Sequence, residues 1–166
     1  MEESTRAHNL LPKYQGNFGS TSDKRFSVLI KDFSLTTMGG GYSIQTLKVL
    51  IADDEYLIRW SLSQALLQEG YEVIAVENGK QAVEAAHRHR FDFIITDLVM
   101  PELSGWEILR YARQMHPQPR VVIMTAHGEE DTRDVAIQRG AWAYVEKPYI
   151  IEMIKGILRK FVLNLN

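Results

Sequence analysis

Four short apolar runs in this 166-residue chain each give way to residues that could do chemistry together. Ala52 leads into Asp53, Asp54 and Glu55; Thr96 into Asp97; Met124 into Thr125; and Glu146 into Lys147 and Pro148. If the four run ends lie side by side, the carboxylates of Asp53, Asp54 and Asp97, the Thr125 hydroxyl and the Lys147 ammonium share one rim. Carboxylates held close repel, and at least one pKa rises unless a cation compensates. Lys147 and a divalent ion would both compensate. Mg²⁺ binds through one or two carboxylates together with water and phosphate oxygens, which is the ligand set this rim offers. Taken singly, each signal has a plainer reading: an acidic pair caps a helix, Lys-Pro makes a turn, and Asp ends a strand. In this order, at successive run ends, the chemical reading prevails.

Such a rim needs a sheet with all its strands pointing one way. From Leu47 onward, β-rich apolar runs alternate with segments of helical period. Strands are expected at 47–52, 71–76, 91–96, 120–125 and 141–146. Several are apolar almost throughout, as parallel strands covered on both faces must be. Ile58, Leu62, Ala65 and Leu66 form one helical stripe, and Ile150, Ile154, Ile157, Leu158 and Phe161 form another. Helices at 79–89, 104–115 and 129–139 complete five right-handed βα units, an α/β fold. Ligands of such open sheets bind beyond the carboxyl ends of the strands, where the four polar run ends fall.

Composition narrows the function classes. With 45% hydrophobic residues the chain can bury one sizeable core, and 19 basic against 21 acidic residues leave no positive field to recruit nucleic acid or an anionic membrane. The absence of cysteine excludes disulfides and thiolate chemistry and suits a cytoplasmic setting. No run approaches the roughly 18 apolar residues that cross a bilayer. Residues 1–46, rich in Ser, Thr and Gly with Gly39, Gly40 and Gly41 in succession, read as a flexible N-terminal extension, and 47–163 as the domain. Within the extension, 26–30 alternates as one short strand would, and Met38 is a candidate internal start. Its five basic and four acidic residues do not make a DNA-binding arm.

The strings VLIADDE, FIITDLVMPELSG, VVIMTA and GAWAYVEKP resemble two-component response-regulator receiver domains in order and spacing, over about residues 47–161. The resemblance implies a doubly wound five-stranded parallel sheet of order 2-1-3-4-5 with five helices. It implies that Asp97 is the phosphoacceptor, that Asp54 binds Mg²⁺ directly and Asp53 mainly through water, and that the Val99 carbonyl is a further ligand. Lys147 and Thr125 would each contact a phosphoryl oxygen, and Tyr144 would be an aromatic switch that follows Thr125. The Lys147–Pro148 bond is expected to be cis. The implied partners are a sensor histidine kinase or phosphotransfer protein, a downstream protein on the 129–161 face, and a second copy as a homodimer. Direct DNA binding and membrane association are not expected. Since the chain runs only to Asn166, the expected output is protein contact, self-association or onward relay. Catalysis would be limited to self-directed phosphotransfer and autodephosphorylation.

Two residues depart from the family pattern: Val99 stands where a polar residue is common, and Tyr149 where Phe is common. Val99 predicts slow loss of the phosphoryl group. His127, two residues after Thr125, reads as a loop histidine near the pocket mouth, and the run His87 to Arg90 as a solvated helix end. An aspartyl phosphatase or nucleotide-binding protein is the enzyme alternative. The turn 53–57 holds no glycine to cradle phosphate, and Asp53 and Asp54 are adjacent, whereas haloacid-type phosphatases separate the pair by one residue. A receiver-like binding module without phosphorylation is the other alternative, and it is weakened because every site residue is present.

Overall fold

A computed structural model describes residues 34–38, 41–148 and 151–163. In chain order the elements are strands β1 (Ser34–Met38), β2 (Gly41–Gln45) and β3 (Lys48–Ala52), helix α1 (Tyr56–Gln68), β4 (Glu72–Val76), α2 (Gly79–Arg88), β5 (Phe93–Asp97), α3 (Gly105–Ala112), β6 (Arg120–Thr125), α4 (Thr132–Gln138), β7 (Ala143–Glu146) and α5 (Ile151–Leu163). Strands β3 to β7 form one parallel sheet in the order β4-β3-β5-β6-β7, which is 2-1-3-4-5 when counted within the sheet. The fold expected from the sequence is therefore the one found.

Side chains alternate across a strand, so each buried strand feeds two cores. Val49, Ile51, Phe93, Ile95, Val122 and Met124 pack with Leu62 and Leu66 of α1 and with Ile154 and Leu158 of α5. Their sequence neighbours Leu50, Ile94, Val121 and Ile123 pack on the other face against Ala82 of α2, Ile108 and Leu109 of α3 and Ala136 of α4. Cutting one such buried Ile or Leu to Ala costs about 2–5 kcal/mol. Strand register then fixes the rim. Ala52 pairs with Thr96, Asp97 with Met124, and Thr125 with Glu146, so the polar run ends emerge side by side.

Local chemistry sets the helix ends. Asn78 Oδ1 accepts from the Gln81 N–H at 2.8 Å, and Glu107 Oε2 accepts from the Ser104 N–H at 2.9 Å, half of a capping box. Helix α4 begins at Thr132 rather than 129, because Thr132 Oγ1 takes the Glu129 N–H at 2.7 Å and closes a turn there. Helix α3 stops at Ala112, short of the expected 115, with Pro117 soon after it to forbid continuation. The antiparallel pair β1–β2 lies inside the stretch read as an extension, with Ser34 opposite Gln45 and Met38 opposite Gly41. The strand expected at 26–30 lies outside the described residues.

Candidate functional site

The acidic turn after β3 is held from two sides. Asp53 Oδ1 accepts from the Glu55 N–H at 2.9 Å, an Asx-type turn leading into α1. From α1, Arg59 donates to the carbonyl oxygens of Asp53 at 2.7 Å and Asp54 at 2.8 Å. Sequence reading assigned Arg59 no role; its signal was a cation one helical turn past the acidic run.

Asp97, the last residue of β5, is 6% exposed. Its Oδ1 accepts from the Val99 N–H at 3.1 Å and its Oδ2 from Lys147 Nζ at 2.6 Å. Lys147 is tied at its backbone, where its N–H donates to the Thr125 carbonyl at 2.8 Å. Its Nζ also lies 2.7 Å from Asp53 Oδ2 and 3.1 Å from Glu55 Oε1. The Lys147–Pro148 peptide is cis, as expected.

Electrostatics within this cluster pull in two directions. Burial by itself would lower the Lys147 pKa, but the hydrogen bonds and charges of Asp53 and Asp97 outweigh it and hold the ammonium above its ordinary value. Asp53 also moves up, because burial and the Asp97 charge outweigh the pull of Lys147 and of the Glu55 N–H. The ammonium is thus well compensated while the carboxylates are not, as three acids sharing one cation must be. Asp53, Glu55 and Asp97 each place a carboxylate oxygen within 4.8 Å of the others, and Asp53 Oδ2 is buried with no aligned hydrogen bond among the described residues. This hard-oxygen, charge-deficient set suits a divalent cation.

The structure therefore brings together Asp53, Asp97, Lys147 and, one strand over, Thr125. Asp54 is exposed and lies outside the acidic cluster, where Glu55 stands instead. Sequence reading placed Glu55 in the acidic run without giving it a role. Val99 is 57% exposed beside the acceptor. Thr125 is buried, and its Oγ1 accepts from the His127 N–H at 3.0 Å, which leaves its own O–H to donate. Tyr144 pairs with Ile123 on the neighbouring strand. Its hydroxyl is buried without a hydrogen bond among the described residues and sits against the 126–128 loop: a Cβ at Gly128 would fall 2.2 Å from Tyr144 Oη. Burial first, then the Glu146 charge, raises the Tyr144 pKa. Thr125 and Tyr144 are thus joined through one short loop. Tyr149 lies outside the described residues, and none of their helices is long and apolar enough to cross a membrane.

The family described as the response regulator receiver domain matches residues 49–159. The chain is 35% identical over 115 residues to sporulation initiation phosphotransferase F of Bacillus subtilis, a match covering 69% of this chain and 93% of that protein. It is 34% identical over 114 residues to the DNA-binding transcriptional regulator NtrC of Escherichia coli, covering 69% of this chain but 24% of that protein. Among solved structures, a response regulator protein from Burkholderia pseudomallei with a phosphorylated aspartic acid, calcium ion and citrate superposes with a TM-score of 0.63 at 26% identity. That match covers 72% of this chain and 70% of that one.

Proposed function

The chain belongs to the response regulator receiver domain family, and from that premise we propose that it is a cytoplasmic, Mg²⁺-dependent switch in which Asp97 accepts a phosphoryl group from a histidine kinase or phosphotransfer protein. The observation that carries this reading is the Asp97 carboxylate, nearly buried at a strand end, 2.6 Å from an ammonium and surrounded by further acid. One Asp97 oxygen attacks the donor's phosphorus as the donor's phosphorus–nitrogen bond breaks, and the histidine nitrogen keeps the electron pair. Lys147 and Thr125 meet the transferred group's oxygens. Bound Mg²⁺ would neutralise phosphoryl charge, held by Asp53, Asp54, Asp97 and the Val99 carbonyl. The calcium ion and phosphorylated aspartic acid of the B. pseudomallei protein support this pairing of a divalent cation with an acceptor Asp.

Asp97→Asn tests the acceptor, because an amide cannot form an acyl phosphate. Incubated with phosphorylated histidine kinases or phosphotransfer proteins, the wild-type chain takes up label that alkali and hydroxylamine release, as an acyl phosphate requires, and Asp97→Asn takes up none; equal labelling of both would refute the assignment.

Metal binding separates the two candidate acids. Asp54→Ala is expected to weaken Mg²⁺ binding about tenfold or more, by calorimetric titration, because it removes a carboxylate ligand. Glu55→Gln should change it less, since Glu55 is engaged with Lys147. The reverse order would give the ligand role to Glu55.

Phosphorylation supplies a dianion to Thr125, whose hydroxyl turns toward it and releases its hold on the His127 N–H; the loop at 126–128 moves and Tyr144 changes its seat. The face so altered is 129–161, where Ile137 of α4 and Met153 of α5 are exposed apolar residues fit for a downstream protein. Catalysis by the chain is confined to its own phosphorylation and dephosphorylation. Val99 cannot hydrogen-bond an attacking water, and positioning is most of what hydrolysis requires, so the phosphoryl state is long-lived. Val99→Asn is expected to speed its decay in Mg²⁺, followed by mass spectrometry without kinase; unchanged decay would remove position 99 from the rate.

A further inference from the structure

Two grooves of opposite charge lie next to each other on the α3–α4 side of the molecule, and Trp106 lines both. The first, of about 690 Å³, has an apolar floor that includes Leu98 and Val135 and a rim formed by Glu129, Glu130 and Asp131. The second, of about 620 Å³, carries Arg110, Arg113 and Arg139. All six of these charged residues are exposed, and none forms an ion pair with another described residue. Some other surface charges pair, Glu69 with Lys155 and Arg159 and Lys48 with Glu72, while others such as Arg88, Arg90 and Arg133 form no ion pair with a described residue; what sets this surface apart is that the unpaired charges gather by sign in two adjoining grooves. The basic groove is also pre-shaped. The Arg139 guanidinium stacks over the Trp106 ring at 4.6 Å, and Arg113 donates to the Arg139 carbonyl at 3.1 Å.

We propose that this surface binds a second copy of the chain, as a two-fold dimer centred on Trp106. A two-fold interface must be self-complementary, since the same patch faces itself after rotation. An axis lying between the grooves sets each arginine groove over the other copy's acidic groove, so one operation satisfies both sets of unpaired charge. Trp106 falls at the centre, where aromatic residues concentrate in protein interfaces, and the charges form a rim around it. A single-sign patch would call for an unlike partner; a plus-minus pair across an aromatic matches its own rotated image. The acidic groove also reaches Val99 and His127, so the contact lies beside the acceptor site; it shares residues 129–139 with the output face, while no residue of α5 lines either groove.

The test is sedimentation equilibrium of the full, unphosphorylated chain over micromolar to near-millimolar concentration. Arg110→Glu and Glu130→Arg are suited to it because both side chains are exposed and make no hydrogen bond or ion pair with another described residue; circular dichroism checks that the fold is kept. A dimer is expected whose dissociation constant rises several-fold as salt shortens the Debye length from about 14 to about 4 Å. Each single reversal should raise that constant roughly tenfold, and the two together in one chain should return it to near the wild-type value, because the swapped charges again face each other. A chain that stays monomeric throughout would overturn the proposal and leave the grooves to a different protein. A dimer indifferent to both reversals would overturn it as well, since it would use another face.

Discussion

Lys147→Met is expected to reduce phosphoryl acceptance by at least about 100-fold, the usual cost of removing one donor from a site where charge develops. Methionine keeps the length and apolar body of the side chain and deletes the ammonium. The three contacts at 2.6, 2.7 and 3.1 Å to Asp97, Asp53 and Glu55 are then lost together. No described cation replaces them, and the incoming dianion meets three uncompensated acids. The same change should destabilise the fold at neutral pH. Breaking one side of a buried pair costs about 3–5 kcal/mol, and the lower end applies because Glu55 is exposed.

The sign of the pH dependence follows from the shifts. The Lys147 pKa is raised in the folded chain, so its stabilising contribution is complete below the unfolded lysine value near 10.4 and is lost only above it. Asp53 is raised too, so the folded state holds a proton the unfolded state gives up, and stability falls as pH climbs from about 4 through the folded value. Without Lys147 that folded value rises further. The melting-temperature deficit of Lys147→Met should therefore be largest near neutrality, shrink on acidification as Asp53 takes up its proton, and be partly recovered by Mg²⁺, which supplies the missing positive charge. A variant that melts with wild type and is phosphorylated at the wild-type rate would show that Lys147 is not the counter-charge of this site.

Gly105→Ala should cost more than about 3 kcal/mol, the upper range for forcing atoms into a packed interior. An added Cβ would sit 2.3 Å from the Asp97 carbonyl oxygen and 3.0 Å from Leu98 Cα, both backbone atoms that no rotamer change can move. The Gly105 N–H donates to the Leu98 carbonyl at 3.0 Å, so α3 is docked directly on the segment that carries the acceptor. Relief must come either from tilting α3 or from displacing Asp97. Urea unfolding should show a lower midpoint with an unchanged slope, and phosphorylation should slow with it. Stability within about 0.5 kcal/mol of wild type would mean the α3 docking is looser than described.

How much of this could be read from residues alone differs from element to element. The sheet was legible because its three central strands are apolar on both faces; Val49 to Ala52, Phe93 to Thr96 and Val121 to Met124 are buried throughout, while the edge strands β4 and β7 are only partly so. The convergence of Asp53, Asp97 and Lys147 was legible because parallel register carries strand ends to one edge. What adjacent acids do was not: Asp53, Asp54 and Glu55 are interchangeable as letters, and only the turn closed by Asp53 on the Glu55 N–H and gripped by Arg59 decides which carboxylates face Lys147. The start of α4 depended on one hydroxyl, Thr132 Oγ1, taking a backbone donor that helical periodicity does not reveal. The β1–β2 pair was missed because Ser, Thr and Gly suggest a linker, and residues 34–38 and 41–45 carry too little apolar alternation to mark them as strands. The seat of Tyr144 against Gly128 depends on contact geometry across two loops and strands, and no spacing rule encodes it.

Asp97 should take up a phosphoryl group without help from any other protein. Incubated with a small-molecule phosphodonor such as acetyl phosphate and Mg²⁺, the purified chain should gain one phosphoryl group, about 80 Da by intact mass. Borohydride trapping should place it on Asp97, and chelation of the metal beforehand should suppress it. A chain that gains no mass under these conditions, or gains it equally with Asn at position 97, would contradict the assignment of Asp97 as a metal-assisted phosphoacceptor.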